Sequence, residues 1–447
     1  MGKGAKRGKG EADGGTFCGR PVTESPSDSA LAAGRSLLIL TPFLLYGPLD
    51  YALRVNNAMI VPALVDEFGF GPAELGFVTS AFFVAFALAQ LPIGLALDRY
   101  GPRRVVATLL AIATIGCLVY VTATGMVGLT VGRFLIGVGM AASLTGGFTA
   151  GRLWFPPRRL ASITATLVAL TALGGMVATG PMVELLTVVS WRGVIAGLAG
   201  ACLVVMLTVL AFVPRHAAAP ADRDRPLRAY GVILTSLRFW RFTPIAMGGV
   251  GVAIAYQTLW APLWLRDVAG YDATMQAWVL FAMFTAMLFG NLGFAWLSAR
   301  LGGRPQVLQA LALGGFGLSI GLQVLLAVTR GGLAPGLLWT ASALFFACPM
   351  VVYAIVARSY PPGTTGRAAS AVNGLVFVTV FLTQWLTGVV IDTFPGTADG
   401  GYAVSGHLAS LWAVITLQVL ALLWCMLAGR LEARAAGPGT MPTERHG

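Results

Sequence analysis

The chain has 447 residues, of which 57% are hydrophobic and only 11% charged, with a mean hydropathy of +0.78. Soluble domains carry roughly 25% charged residues, so this composition excludes an ordinary soluble enzyme or binding module and points to a polytopic membrane protein. The formal net charge of +12 does not indicate nucleic acid, because the basic residues fall between apolar runs instead of forming one patch; the lipid bilayer is the expected partner.

Residues 1–35 lack an apolar core and read as a disordered tail with no cleaved signal peptide. A membrane crossing needs about 20 apolar residues. Twelve such runs follow, at approximately 38–64, 75–97, 105–124, 127–149, 160–183, 193–213, 242–265, 275–298, 306–328, 335–356, 368–391 and 406–428. The longest polar interruption, 214–241, separates a six-helix bundle over 36–213 from another over 242–428, and 429–447 forms a second tail. Of the thirty Lys and Arg, 25 fall in the tails and loops of one side and three (Arg192, Arg266 and Arg330) on the other. Such an asymmetry places both termini in the cytoplasm. The five cysteines (Cys18, Cys117, Cys202, Cys348 and Cys425) are scattered, so neither a disulfide framework nor a zinc site is expected.

The two halves resemble each other. An offset of 201 positions takes Arg99, Gly101 and Arg103 to Arg300, Gly302 and Arg304, but Asp98 to Ala299. The same offset takes Asp66 to Asp267 and Gly69 to Gly270, and Phe155-Pro156-Pro157 has an echo in Tyr360-Pro361-Pro362. Together these matches favour a duplicated bundle with its pseudo-symmetry axis along the membrane normal.

Between the second and third runs lies GLALDRYGPRR, in which Gly94, Asp98, Arg99, Gly101, Arg103 and Arg104 hold fixed spacings. This stretch resembles the cytoplasmic loop between helices two and three of the major facilitator superfamily. Arg133, Gly137 and Gly139 resemble that family's fourth-helix motif, Trp154 to Pro157 with Arg158 and Arg159 its following loop, and Trp191-Arg192-Gly193 its usual start of helix six. The resemblance implies an all-α fold of twelve transmembrane helices in two pseudo-symmetric bundles, working by alternating access. It also implies that the 94–104 loop is a cytoplasmic gate: Asp98 accepts hydrogen bonds from the start of helix eleven near Gly366 and Arg367 and pairs with arginines, while Gly94 and Gly101 allow close approach and a tight turn. The drug antiporters of that family carry a fifth-helix pattern GxxxGPxxGG. Here Gly175 to Gly180-Pro181 is one residue too long and Glu184-Leu185 replaces the final glycines, which weighs against drug efflux.

Charges in hydrocarbon are costly unless paired or hydrated, which makes them the first candidates for function. Only Asp50, Arg54 and Arg133 lie well within runs, and Glu184 is near an outer end. Tyr46, Asp50, Arg54 and Asn57 share one face of helix one at helical spacing, expected to face a central cavity. Two readings stand for Asp50 and Arg54: a self-neutralising i,i+4 pair, or a site where Arg54 holds an anionic solute group and Asp50 orients it or takes up a proton. Arg133 either adds positive charge to the same cavity or bridges helices, its common role in the family. The second half offers only neutral groups, foremost Tyr256, Gln257 and Asn373, with Asn291, Gln323, Tyr353 and Gln384 behind them. His216, His407 and His446 are placed where a histidine proton relay is not expected.

No GxxxxGK[ST] loop is present, so an ion gradient is the expected energy source and no cofactor is expected. The reading is a non-enzymatic secondary transporter in a prokaryotic inner membrane, functional as a monomer. It is expected to take up a small anionic or zwitterionic solute (carboxylate, sugar acid, amino acid or short peptide) together with protons. The alternatives are an efflux antiporter of drugs or metabolites, or a non-transporting sensor or assembly protein on the same fold.

Overall fold

The computed structural model describes residues 26–215, 226–301, 304–332, 334–361, 365–397 and 401–435. Most of both expected tails, with Cys18, His216, Gly302, Pro362 and His446, lies outside the described residues. Helix α1, Pro26–Phe68, begins ten residues inside the stretch read as tail. The physical reason is local: Ala30 to Ala33 and Leu37 to Leu40 are strong helix formers that extend the membrane helix past its apolar part.

The next two crossings form one helical run, α2, Pro72–Val121, broken only at Gly101, where φ is 75° and ψ 161°. That backbone suits glycine. It also reverses the chain, because Gly137 packs against the Phe82 backbone and Gly139 against Ala113. In an unbroken helix those two positions would stand about 46 Å apart at 1.5 Å per residue.

The fourth crossing is split into α3, Met126–Met140, and α4, Ser143–Trp154. The fifth is split into α5, Pro157–Val177, and α6, Gly180–Leu186. Between α4 and α5, Phe155 and Pro156 adopt extended backbone and Pro157 takes the first helical position, where its missing N–H costs nothing. Helix α7, Trp191–Phe212, ends the first half, and the linker contains a short helix, α8, Pro226–Leu234.

The seventh crossing is irregular. Helix α9, Leu237–Ala246, passes through a π-helical turn at Met247–Gly251, the single turn α10, Val252–Ala255, and a second π turn at Tyr256–Trp260 before α11, Ala261–Asp267. The remaining crossings are α12, Ala273–Arg300; α13, Pro305–Thr329; α14, Pro335–Phe345, continued by α15, Ala347–Arg358; α16, Thr365–Asp392; and α17, Val404–Ala435. Among the described residues eleven stretches are long and apolar enough to cross a membrane, and α1, with Asp50 and Arg54 in its middle, is the twelfth crossing. Leu203, Leu207, Phe289, Trp296 and Leu417 are exposed on the outside, while Asp50, Arg54, Asn57 and Arg133 are buried inside. That inversion of a soluble protein's pattern is what lipid requires.

The duplication is visible in backbone geometry. Gly69 (φ 67°) and Gly270 (φ 70°), 201 positions apart, both close the first helix of their half in the left-handed conformation. Their N–H groups donate to Val65 at 2.8 Å and Arg266 at 3.1 Å, each four residues back. Each half is also clasped on this face in the same way. Glu67, ending α1, pairs with Arg192 at the start of α7 at 2.6 Å; Asp267, ending α11, pairs with His407 at the start of α17 at 2.8 Å.

The halves meet on the side away from the 94–104 loop. There the Gly76 backbone lies against the Gln384 carbonyl and Gly388 against the Pro72 carbonyl, approaches that a Cβ would block. Nearer mid-membrane, Phe86 touches Phe377 with centroids 4.3 Å apart, and Tyr51 meets Phe284 edge-on at 6.0 Å.

Candidate functional site

Asp50 and Arg54, one turn apart on α1, form a bidentate pair, with Arg54 Nε donating to Oδ1 at 2.8 Å and Nη2 to Oδ2 at 2.7 Å. They are 1% and 5% exposed, so the pair is sealed from both lipid and water in this conformation. The break between α3 and α4 gives Asp50 its third bond: Ser143, first residue of α4, donates to Oδ2 at 2.7 Å. The self-neutralising pair is therefore present, but it sits inside an aromatic cage. The Arg54 guanidinium carbon lies 5.0 Å from the Tyr51 ring centroid, 5.7 Å from Phe82, 4.5 Å from Phe86 and 5.1 Å from Phe377. Three of these rings belong to the first half. Phe377, on α16, belongs to the second, so the charge is enclosed only while the halves are together here.

Arg133 stands on α3 beside this pair, which fits the similar depth that chain position implies for the two arginines. Its Nη1 donates to the Leu53 carbonyl at 2.8 Å, and its guanidinium lies 5.2 Å from the Phe82 centroid. The helix-bridging role is thus realised in part. Yet its Nε and Nη2 are buried without a partner, and among the described residues it forms no ion pair. A buried guanidinium with two unanswered donors is a strong demand for an acceptor.

The other residues of the polar stripe on helix one face inward within the first half. Tyr46 donates to the Gly139 carbonyl. Asn57 donates to Thr79 at 2.5 Å and accepts from Tyr120 at 2.9 Å. The expectation that all four line the cavity is corrected for these two: helix packing turns them toward α2 and α3, leaving Arg54 as the stripe's contact with the second half. Glu184 is exposed on α6 and is not brought to the cluster.

In the second half, Tyr256 and Gln257 occupy a π turn, a distortion frequent at functional sites. They line a cavity of about 30 Å³ shared with Ser319, Gln323, Trp339 and Ser342. Tyr256 stacks on Trp339 at 5.4 Å, and Tyr256 Oη and Gln257 Nε2 have no protein partner. A space of that size has room for one or two waters. Asn373 lies on α16 four residues from Phe377 and accepts from Tyr353 at 3.2 Å.

The gate residues differ from expectation in two respects, at Asp98 and at Gly94. Asp98, Arg99 and Gly366 are exposed, and Asp98 makes no hydrogen bond or ion pair among the described residues. A Cβ on Gly94 would meet nothing within 4 Å, so no close helix approach occurs there. Gly101 does make the tight turn, and Arg103 anchors the loop by donating to the Leu210 carbonyl near the end of α7 at 2.5 Å. The loop is unlocked because the halves touch at the opposite ends of α2 and α16.

Residues 43–384 match the sequence profile described as Major Facilitator Superfamily. The chain belongs to the major facilitator superfamily. Relatives within it include the hexuronate transporter of Bacillus subtilis (strain 168), 24% identical over 391 residues, 82% of this chain and 90% of that protein. The hexuronate transporter of Escherichia coli (strain K12) is 23% identical over 419 residues, 86% of this chain and 91% of that one. The chain matches a smaller part, 37%, of the Bacillus subtilis protein described as uncharacterized transporter YybO, at 29% identity over 36% of this chain. In fold, it superposes on a bacterial homologue of the human lysosomal transporter Spinster, in an inward-facing and unoccupied conformation. That match has a TM-score of 0.72 and 17% identity and covers 91% of this chain and 99% of the other.

Two features escaped sequence reasoning. The cage needs Phe377 from 323 positions along the chain beyond Arg54, and no local spacing announces it. The Asp267 and His407 pair, 2% to 4% exposed and joined by Arg266 at 2.6 Å, was hidden because His407 reads as an ordinary residue at a helix start. Its signal was the 201-residue offset from Asp66, which directed attention to Asp267.

Proposed function

We propose that this member of the major facilitator superfamily is a secondary transporter of small organic anions, working by alternating access with Arg54 and Arg133 as the solute's charge partners. The observation that carries the reading is the charge balance. Asp50 is neutralised by Arg54, while Arg133 keeps a buried charge and two free donors, so the cluster is short of one negative charge. A carboxylate supplies that charge and accepts those bonds. Relatives support the class: proteins similar to this chain are named as transporters of hexuronate, galactarate or glucarate, galactonate and nitrate, all anions. Neutral groups of the second half, Asn373 with Tyr353 and the Tyr256 and Gln257 turn, then meet the uncharged part of the solute.

The one-sided loop charges support an orientation with the 94–104 loop and both termini in the cytoplasm, in a prokaryotic inner membrane. In that orientation the contacts between the halves close the outside, and the exposed Asp98 and Gly366 belong to an inward-open state. Proton coupling is assigned to Asp50, the buried carboxylate bonded to Arg54; entry of an anion beside Arg54 releases it to exchange a proton.

The test is uptake into proteoliposomes of labelled glucuronate, galactonate and lactate, with and without an inward proton gradient, for wild type and Arg133→Gln. The proposal expects uptake of at least one organic anion and its loss in the variant. Uptake of apolar cations, unaffected by Arg133→Gln, would overturn it.

A further inference from the structure

Away from the cluster between the halves, a second basic site occupies the end of the second half on the side of the 94–104 loop. It is a cavity of about 340 Å³ lined by Arg238, Arg241 and Arg358, by Glu432 as the one acid among its described lining residues, and by the apolar Phe242 and Leu308. Four crossings contribute: α9, α13, α15 and α17. Arg241 Nη1 pairs with Glu432 Oε2 at 2.5 Å, leaving Arg241 Nε and Glu432 Oε1 buried without partners. Arg238 and Arg241 alone set two guanidinium groups against the Glu432 carboxylate, so the described lining is net positive without counting Arg358.

Its position in the helices deepens that charge. Arg238 is the second residue of α9 and Arg241 the fifth, both at the helix end whose dipole is positive, and Ser236 at the N-cap makes no side-chain bond to the first turn. Basic residues there are unfavourable, since this end prefers anions. An arrangement of this kind is stabilised by an anion with several acceptor oxygens. Depth in the membrane narrows the source. Trp240 donates to the Leu234 carbonyl at 2.6 Å and Trp424 to the Trp240 carbonyl at 2.8 Å, placing two indoles beside the cavity. Tryptophans of this type mark headgroup level. Leu237 and Leu431 are exposed next to them, 42% and 44%, offering apolar surface to an acyl chain.

We infer that this cavity binds a phosphate group, carried by the headgroup of an acidic phospholipid. The site is independent of the solute reading, since none of its residues belongs to the cluster around Arg54.

The experiment is a thermal-shift titration of the detergent-purified protein at constant ionic strength. Probes are short-chain phosphatidylglycerol, short-chain phosphatidylcholine and inorganic phosphate, for wild type, Arg238→Gln and Glu432→Gln. Ligands of the folded state raise its apparent melting temperature by mass action. Phosphatidylglycerol is expected to stabilise the wild type, with the midpoint shifted about tenfold weaker in Arg238→Gln, as for loss of one charge-assisted bond. Glu432→Gln is expected to tighten binding, because it removes the repelling carboxylate and frees Arg241. A merely structural cluster would not gain affinity this way. Stabilisation by inorganic phosphate with the same dependence on Arg238 would keep the phosphate site and reassign its source to a soluble compound. No stabilisation by phosphatidylglycerol or inorganic phosphate, stabilisation by phosphatidylcholine equal to that by phosphatidylglycerol, equal stabilisation of wild type and Arg238→Gln, or weaker binding in Glu432→Gln would overturn the inference.

Discussion

The Asp50 and Arg54 pair makes a quantitative demand on mutants. Arg54→Ala removes both bonds to Asp50 and leaves a carboxylate that is 1% exposed with Ser143 as its remaining donor. Breaking a buried ion pair from one side costs about 3–5 kcal/mol, and loss of the cage adds up to about 2 kcal/mol for desolvated ring contacts. Replacing both charges, Asp50→Asn with Arg54→Gln, leaves amides that hydrogen-bond each other and no orphaned charge. The double variant is therefore expected to be more stable than Arg54→Ala by about 2 kcal/mol, even though it carries one more substitution. For a unit the size of one half, 1 kcal/mol moves the melting temperature by about 2–4 °C, so the recovery is about 4–8 °C. Intrinsic-fluorescence melting at a fixed scan rate reads this, the fixed rate being needed because such proteins often unfold irreversibly. A double variant that melts at or below Arg54→Ala would show that the two charges are not energetically coupled and refute the argument.

Other consequences follow from single contacts. Phe377→Ala deletes the one cage ring supplied by the second half; a maleimide-reactive cysteine placed at exposed Gly366 should then label several-fold more slowly, because the loop-open state loses one of its mid-membrane contacts. Unchanged labelling would mean that Phe377 does not hold this state. Gly69→Ala and Gly270→Ala should each cost about 1–2 kcal/mol from left-handed strain alone, since a Cβ at either meets nothing within 4 Å; clearly unequal melting shifts would contradict the equivalence of the two turns. Glu67 lies beyond the apolar stretch of α1, and the hydrogen bond from Arg192 holds its carboxyl below the usual range. Its folded pKa being depressed, its contribution to stability is complete above the unfolded value near 4.3 and fades as pH falls through the lower folded value. Glu67→Gln should flatten the melting temperature below about pH 4, and a variant with the wild-type acid slope would sever that link.

Much of this was legible in the chain because a bilayer imposes strict rules. Twelve apolar runs, a one-sided distribution of arginines and the loop around Asp98 suffice for the architecture, since each is a requirement of crossing lipid. Helix interiors were less legible. The breaks at Ala141 and Ala142 and the π turns at Met247 and Tyr256 lie within continuous apolar runs, where packing against glycines such as Gly139 and Gly249 decides local geometry. Spacing identified Asp50, Arg54 and Arg133 as the buried charges, because hydrocarbon makes every charge conspicuous. It did not say that Tyr46 and Asn57 turn away into the first half. Periodicity gives a face of a helix, and only the neighbouring helices say what that face meets.

The asymmetry between the halves carries a mechanism of its own under the proposed function. Among the described residues the mid-membrane charges, Asp50, Arg54 and Arg133, all sit in the first half, while the second contributes Phe377 as a cover and neutral polar groups beyond it. A ligand shifts a conformational equilibrium only by its difference in affinity between states. An anion that reaches Arg54 and Arg133 must displace or bypass the Phe377 ring, so its binding energy is coupled directly to the contact between α2 and α16 through Phe86. At the outer ends of the same two helices, Gly76 and Gly388 provide backbone packing with no side chain between, a junction that is either closed or open. A solute that loosens the mid-membrane ring contact therefore acts on the helix pair that also forms the outer closure. On this argument the coupling of occupancy to access resides in α16, and substitutions at Phe377 should change the access equilibrium more than substitutions at Tyr256, which packs within its own half against Trp339.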